Sequence, residues 1–159
     1  MAKFVYRMQS ILNIKEKMED QAKQAFAAAR GQLTVEEERL QRLIQRRIQY
    51  LAEGAMLRQQ VLDPLKLQEN KAALEYIKEA IIEQGIRVKK AEEALERARV
   101  VLQEYRIDRK THEQLKEAAF EEFKREIAKE ESKEVDELVS YVYGQRGHAK
   151  EAEEMLSIQ

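Results

Sequence analysis

The chain of 159 residues has no cysteine and no tryptophan, one proline, two histidines and five glycines. Each shortage excludes something. Without cysteine there is no disulfide and no thiolate metal site, which is compatible with a reducing compartment. His112 and His148 stand too far apart to form a local metal motif. The few glycines nowhere form the Gly-x-x-x-x-Gly-Lys segment that cradles phosphate. No run approaches the ~20 apolar residues of a membrane span. The opening Met-Ala-Lys-Phe-Val-Tyr-Arg-Met lacks the apolar core of a signal peptide. The formal net charge of −1 gives no general attraction to nucleic acid or to an anionic membrane. The expectation is a soluble, intracellular, non-enzymatic protein with no catalytic residue, cofactor, metal, nucleic acid or transmembrane segment.

What is present is charge and helix formers. Asp, Glu, Lys and Arg make up 37% of the chain, and Ala, Leu and Gln are abundant, the composition of a long helix or coiled coil. Pro64 alone interrupts it. Proline lacks a backbone donor and clashes with the carbonyl four residues back, and it pushes Asp63 out of the α region. Asp63 is placed to cap a following helix, with Pro64 at its first position. The expected fold is all-α: a long antiparallel two-helix coiled-coil hairpin. Helix 1 is expected over about 3–61 and helix 2 over about 65–142, with the turn near Leu62–Leu65. Residues 1–143 form the hairpin. Gly144 and Gly147 end the second helix, and 144–159 form a flexible tail.

Apolar residues at alternating steps of three and four define a seam. In helix 1 it runs through Phe4, Met8, Ile11, Lys15, Met18, Ala22, Ala25 and Ala29. One extra step of four leads to Leu33, Glu36, Leu40, Leu43, Arg47, Tyr50, Gly54, Leu57 and Val61. Such a step is a stutter, which locally unwinds a supercoil. Gly31 beside it and Gly54 are candidate bending points. In helix 2 the seam reads Leu67, Asn70, Leu74, Ile77, Ile81, Gln84, Val88, Ala91, Leu95, Ala98, Leu102, Tyr105, Arg109, His112, Lys116, Ala119 and Phe123. A second stutter reaches Ile127.

Folding the runs back about Pro64 places Tyr50 opposite Ile77 or Glu79 and Phe4 opposite Phe123 or Lys124. Each arm would measure about 85–90 Å at ~1.5 Å per residue. Ile127, Val135, Leu138, Val139 and Tyr141 then lie beyond the reach of helix 1, and an unpaired apolar stripe usually marks a contact surface. The paired carboxylates Glu36-Glu37-Glu38 and Glu92-Glu93 have no cleft to desolvate them and read as solvated helix faces. The basic groups Arg39, Arg42, Arg46, Arg47 and Arg87, Lys89, Lys90 read as a solvated face or as a docking surface for an acidic protein.

The opening Phe4-x-Tyr6-x-Met8-Gln9-Ser10-Ile11-Leu12-Asn13-Ile14-Lys15-x-Lys17-Met18-Glu19 resembles the start of the flagellar type III export protein FliJ family. The closing Glu131-Ser132-Lys133-Glu134-Val135-Asp136-Glu137-Leu138 resembles that family's C-terminal motif. Length and two-helix pattern agree over about residues 1–143. The resemblance implies an antiparallel coiled coil similar to the central stalk of rotary ATPases, without hydrolytic activity of its own. The implied partners are the hexameric flagellar export ATPase, the cytoplasmic domain of the membrane export gate, and export chaperones. The implied location is the cytoplasm, peripherally at the cytoplasmic face of the cell membrane. Its terminal end would enter the ATPase ring through Phe4, Met8, Ile11, Ile127, Val135 and Leu138. A gate contact would match Leu43, Tyr50, Ile77 and Ala80, although the seam claims Leu43, Tyr50 and Ile77 for core packing. Arg39, Arg46 and Gln84 depart from the family pattern there. The alternative is a coiled-coil spacer or scaffold without an ATPase partner. A less favoured one is the central-stalk subunit of an ion-translocating ATPase.

Overall fold

The computed structural model describes residues 2–158, which contain two α-helices and no strand. Helix α1 spans Gln9–Gln59 and α2 spans Pro64–Ser157, and they pack against each other as a helical hairpin. The contacts divide the hairpin into two compact units, Asn13–Arg109 and Met1–Leu12 with Lys110–Gln159.

Asp63 starts α2 as its chemistry dictates. Its Oδ1 accepts a hydrogen bond from the Leu65 amide at 3.1 Å, and its carbonyl accepts from the Leu67 amide at 3.1 Å. Pro64 sits at the first helical position, where its missing donor costs nothing.

Two helix boundaries differ from expectation. Helix α1 begins at Gln9, not near residue 3. Before it, burial alternates with period two: Phe4 and Tyr6 are half-buried while Lys3 and Val5 are exposed. That is an extended strip laying its aromatics on one side, and a helix would have separated them by about 200°. Helix α2 does not end near 142 but continues through Gly144 and Gly147 to Ser157. A helical glycine costs only about 1 kcal/mol, and the sequence beyond, His148-Ala149-Lys150-Glu151-Ala152-Glu153-Glu154, is rich in strong helix formers. No proline follows to stop it.

In the unit Asn13–Arg109 the fully buried positions are Ala22, Ile77, Ala91 and Leu102, joined by Glu19, Glu36, Gly54 and Gln84. Half of that set is not apolar, and each polar member is bonded. Gln84 donates through Nε2 to the Glu36 carbonyl at 3.0 Å and also to its carboxylate. Gln32 Nε2 and Arg39 Nη1 reach the same carboxylate at 3.0 and 3.1 Å. Asn70 donates through Nδ2 to the Tyr50 carbonyl at 2.8 Å. Lys15 pairs with Asp108 at 2.7 Å. Tyr50 therefore meets Asn70, nearer the turn than the expected Ile77 or Glu79. Val61, expected on the seam, is 97% exposed.

Helix α1 also corrects its own seam. Its inward positions are Leu12, Lys15, Glu19, Ala22, Phe26, Ala29, Leu33, Glu36, Leu40 and Leu43, then Tyr50, Gly54 and Leu57. These steps of three and four continue without a stutter. Ile11, Met18 and Ala25 face outward. Helix α2 follows its expected seam from Leu67 to Ile127 without an exposed member.

The unit Met1–Leu12 with Lys110–Gln159 is held by aromatics. The Phe4 ring lies 5.1 Å from that of Phe120, edge to face, and 5.3 Å from that of Phe123. Such contacts add roughly 0.5–1.5 kcal/mol beyond area burial. Lys124 Nζ sits 4.6 Å over the Phe120 ring. Leu12 is buried at 2% exposure. Every residue from 128 to 158 is exposed.

Candidate functional site

The four positions aligned with a gate contact all lie in the unit Asn13–Arg109. Leu43, Tyr50 and Ala80 are half-buried and keep an edge toward solvent. Ile77, at 1% exposure, is the most enclosed large side chain and holds the helices together from within. The seam reading of Ile77 is the one the structure carries. Leu43 lines a groove together with Arg39, Arg42, Arg46 and Gln84. A second groove, nearer the turn, runs between Tyr50, Leu57, Lys66 and Asn70. There α1 and α2 approach closely at Gly54, because a Cβ on that residue would lie 2.5 Å from Asn70 Oδ1. Gly54 is a contact position, whereas the sequence offered it as a bending point.

The six positions assigned to a ring contact all lie in the other unit. Phe4 and Ile127 are half-buried, so both are part of the packing there. Met8, just before α1, and Ile11 on it are exposed. Val135 and Leu138 are exposed on the part of α2 where nothing is covered. Val142, within the expected helix, is also exposed, and ending the helix near 142 hid further members of that surface: Tyr143, Met155 and Leu156. A signal was present in the heptad steps Val135, Leu138, Val142, Gln145, Ala149, Ala152 and Leu156, which run through both glycines.

The chemistry of these faces is that of association. Among the described residues no group of three His, Cys, Asp or Glu could hold a metal ion. No helix is long and apolar enough to cross a membrane. Among the described residues, Glu19 is the buried carboxylate with a shifted titration. Burial pushes its carboxyl up. The Arg109 guanidinium bonded to it, together with Lys23 at 3.5 Å, outweighs burial and holds it below the usual carboxylate range. Arg106 adds a further positive charge at 3.8 Å. A carboxyl held ionised this way fixes helix register and cannot act as a general acid near neutral pH.

Comparison with known proteins agrees with this architecture. A solved structure of a YscO homologue from Chlamydia trachomatis matches with a TM-score of 0.55 at 22% identity, covering 92% of this chain and 99% of that one. The likeness is one of fold. No curated protein matches the chain. The family model of the flagellar FliJ protein matches residues 4–148, through both helices and the loop between them, and the chain accordingly belongs to the FliJ family.

Proposed function

We propose that this flagellar export component is a non-enzymatic central stalk and coupling factor for the flagellar type III export ATPase, required for flagellum assembly. FliJ proteins are an export-component family rather than an enzyme family. The observation that carries the finer reading is the exposed stretch 128–158 of α2, with Val135 and Leu138 on it. A stalk must touch successive, nearly equivalent subunits of a ring without locking onto one. Scattered apolar side chains on a slim helix, among mixed charges, make shallow and repeatable contacts of that kind. Met8, just before α1, and Ile11 on it extend the apolar surface of the same unit.

In this reading the unit Asn13–Arg109 faces the cytoplasmic domain of the membrane export gate. Leu43, Tyr50 and Ala80 supply partly exposed apolar edges, and Ile77 supports them from the core. Arg39, Arg42 and Arg46 around Leu43 favour an acidic segment of that partner. Export chaperones are the third class of partner. The protein works in the cytoplasm, peripherally at the inner face of the membrane.

Co-sedimentation with the assembled ATPase hexamer tests the ring contact. The full chain is expected to sediment with the ring, and the pair of changes Val135→Asp and Leu138→Asp should abolish it with helicity unchanged. Equal sedimentation of that variant would place the ring contact elsewhere. No association of the full chain at all would favour a spacer without an ATPase partner.

A further inference from the structure

In the unit Asn13–Arg109 the two edges of the seam differ in chemistry. A two-helix coiled coil needs apolar residues only on its seam, whereas a helix with apolar residues beside the seam as well has the broader face of a helix in a larger bundle. On one edge α1 carries Arg39, Arg46 and Glu53, as a solvated edge does. On the other it carries Ile44 and Leu51, which directly follow the seam residues Leu43 and Tyr50. Ile48 and Ala55 stand further out on that side, so that positions 44, 48, 51 and 55 form a second run of alternating fours and threes. Ile44 is half-buried, but Ile48 is 53% and Leu51 45% exposed.

Helix α2 supplies the other half of that edge. The bond from Asn70 to the Tyr50 carbonyl sets the register. The residues after the seam positions Asn70 and Ile77 are Lys71 and Lys78, which stand across from Leu51 and Ile44. Positions flanking the seam of a coiled coil ordinarily exchange charges with the facing helix. Here two lysines one heptad apart meet aliphatic side chains instead. Among the described residues neither lysine forms an ion pair, although Glu75 lies within helical reach of both. Pairs at the same spacings do form further along α2, as in Arg87 with Glu83 and Arg99 with Glu96. Gly85, next on this edge after Lys78, has nothing near an added Cβ, so the edge stays open there.

We propose that this edge docks an acidic amphipathic helix of a partner protein, laid along Ile44, Ile48, Leu51 and Ala55 with carboxylates one heptad apart on Lys71 and Lys78. The spacing of the aliphatic run is that of a helix-to-helix contact, which favours a helix over an extended segment. The lysines select its charge, since they neutralise an acidic flank and repel a basic one. The run is short, so binding is weak, reversible and salt-sensitive. The contact lies across the seam from the groove of Arg42 and Arg46 and does not rest on the gate reading.

Fluorescence anisotropy with two labelled three-heptad peptides, titrated with the full chain, provides the test. One peptide has Leu on its seam and Glu at every flanking position, which keeps it from pairing with itself, and the other has Lys at those positions. The acidic peptide is expected to bind, more weakly as salt rises from ~0.05 to ~0.5 M, and the basic one is not. Lys71→Glu with Lys78→Glu should weaken binding of the acidic peptide about tenfold or more and admit the basic one. Ile48→Asp, at an exposed position, should abolish binding with helicity by circular dichroism unchanged. Arg42→Glu with Arg46→Glu, across the seam, should leave binding as it was. No binding of the acidic peptide, equal binding of both peptides, or indifference to the change at Lys71 and Lys78 overturns the proposal. So does binding that Ile48→Asp leaves intact or that the change at Arg42 and Arg46 removes. Self-association of the full chain that Ile48→Asp abolishes would also overturn it, by making a second copy the occupant.

Discussion

At the scale of single residues, the seam is organised by the polar groups it encloses. Glu19, 3% exposed, is the clearest case. Changing it to Ala leaves Arg109 half-buried opposite a neutral side chain, and chemical denaturation should register a loss of about 3 kcal/mol, the lower end for one partner of a buried pair. Replacing Glu19 and Arg109 together by Leu should recover most of that loss. The pH dependence has a fixed sign. The folded carboxyl is held below its ordinary value, so the unfolded chain binds the proton more readily. The stabilisation from Glu19 is complete above ~4.3, the unfolded value, and is lost as pH falls through the folded one. Glu19→Gln should flatten the acid limb of the stability curve, and an unchanged acid limb would contradict this pairing. Gly54 and Asn70 form a second coupled pair. Gly54→Ala alone gains helix propensity but displaces the Asn70 amide from the Tyr50 carbonyl, so it should be neutral or destabilising. In an Asn70→Ala background the same change should stabilise by about 1 kcal/mol.

At the scale of the elements, helix type, the break at Pro64 and the α2 seam were legible in the sequence, because a proline cap and a long 3–4 apolar rhythm are local signals. The α1 seam was not. Reading by apolarity chose Ile11 over Leu12, Met18 over Glu19 and Ala25 over Phe26, since a charged Glu19 looks like a surface residue until Arg109, ninety residues away, is set beside it. The supposed stutter followed from those choices. The end of α2 was not legible, because two glycines signal a stop locally while the helix formers after them carry the helix on to Ser157. The aromatic pairing of Phe4 with Phe123 was anticipated from folding the chain about Pro64. The assignment of Ile77 to the core was one of two readings that periodicity alone left open. Gly31 provides an element-level check. It lies on an exposed face with nothing near an added Cβ, so Gly31→Ala should raise stability by about 1 kcal/mol. A loss would mean that α1 needs local freedom there.

At the scale of the whole molecule, the two units divide the proposed work. One has half-buried apolar edges ringed by arginines, and the other has an aromatic clasp followed by an uncovered helix. In the proposed function the uncovered helix acts on the export ATPase, and truncation after Ala128 removes that helix while sparing the clasp. The truncated chain keeps Phe4, Phe120 and Phe123 together with Ile127, so its helicity per residue should remain that of the full protein. The rate of ATP hydrolysis by the purified export ATPase would be measured with each. Stimulation is expected from the full chain and none from the folded truncated one, whereas undiminished stimulation by the truncated chain would show that the uncovered helix does not act on the ATPase.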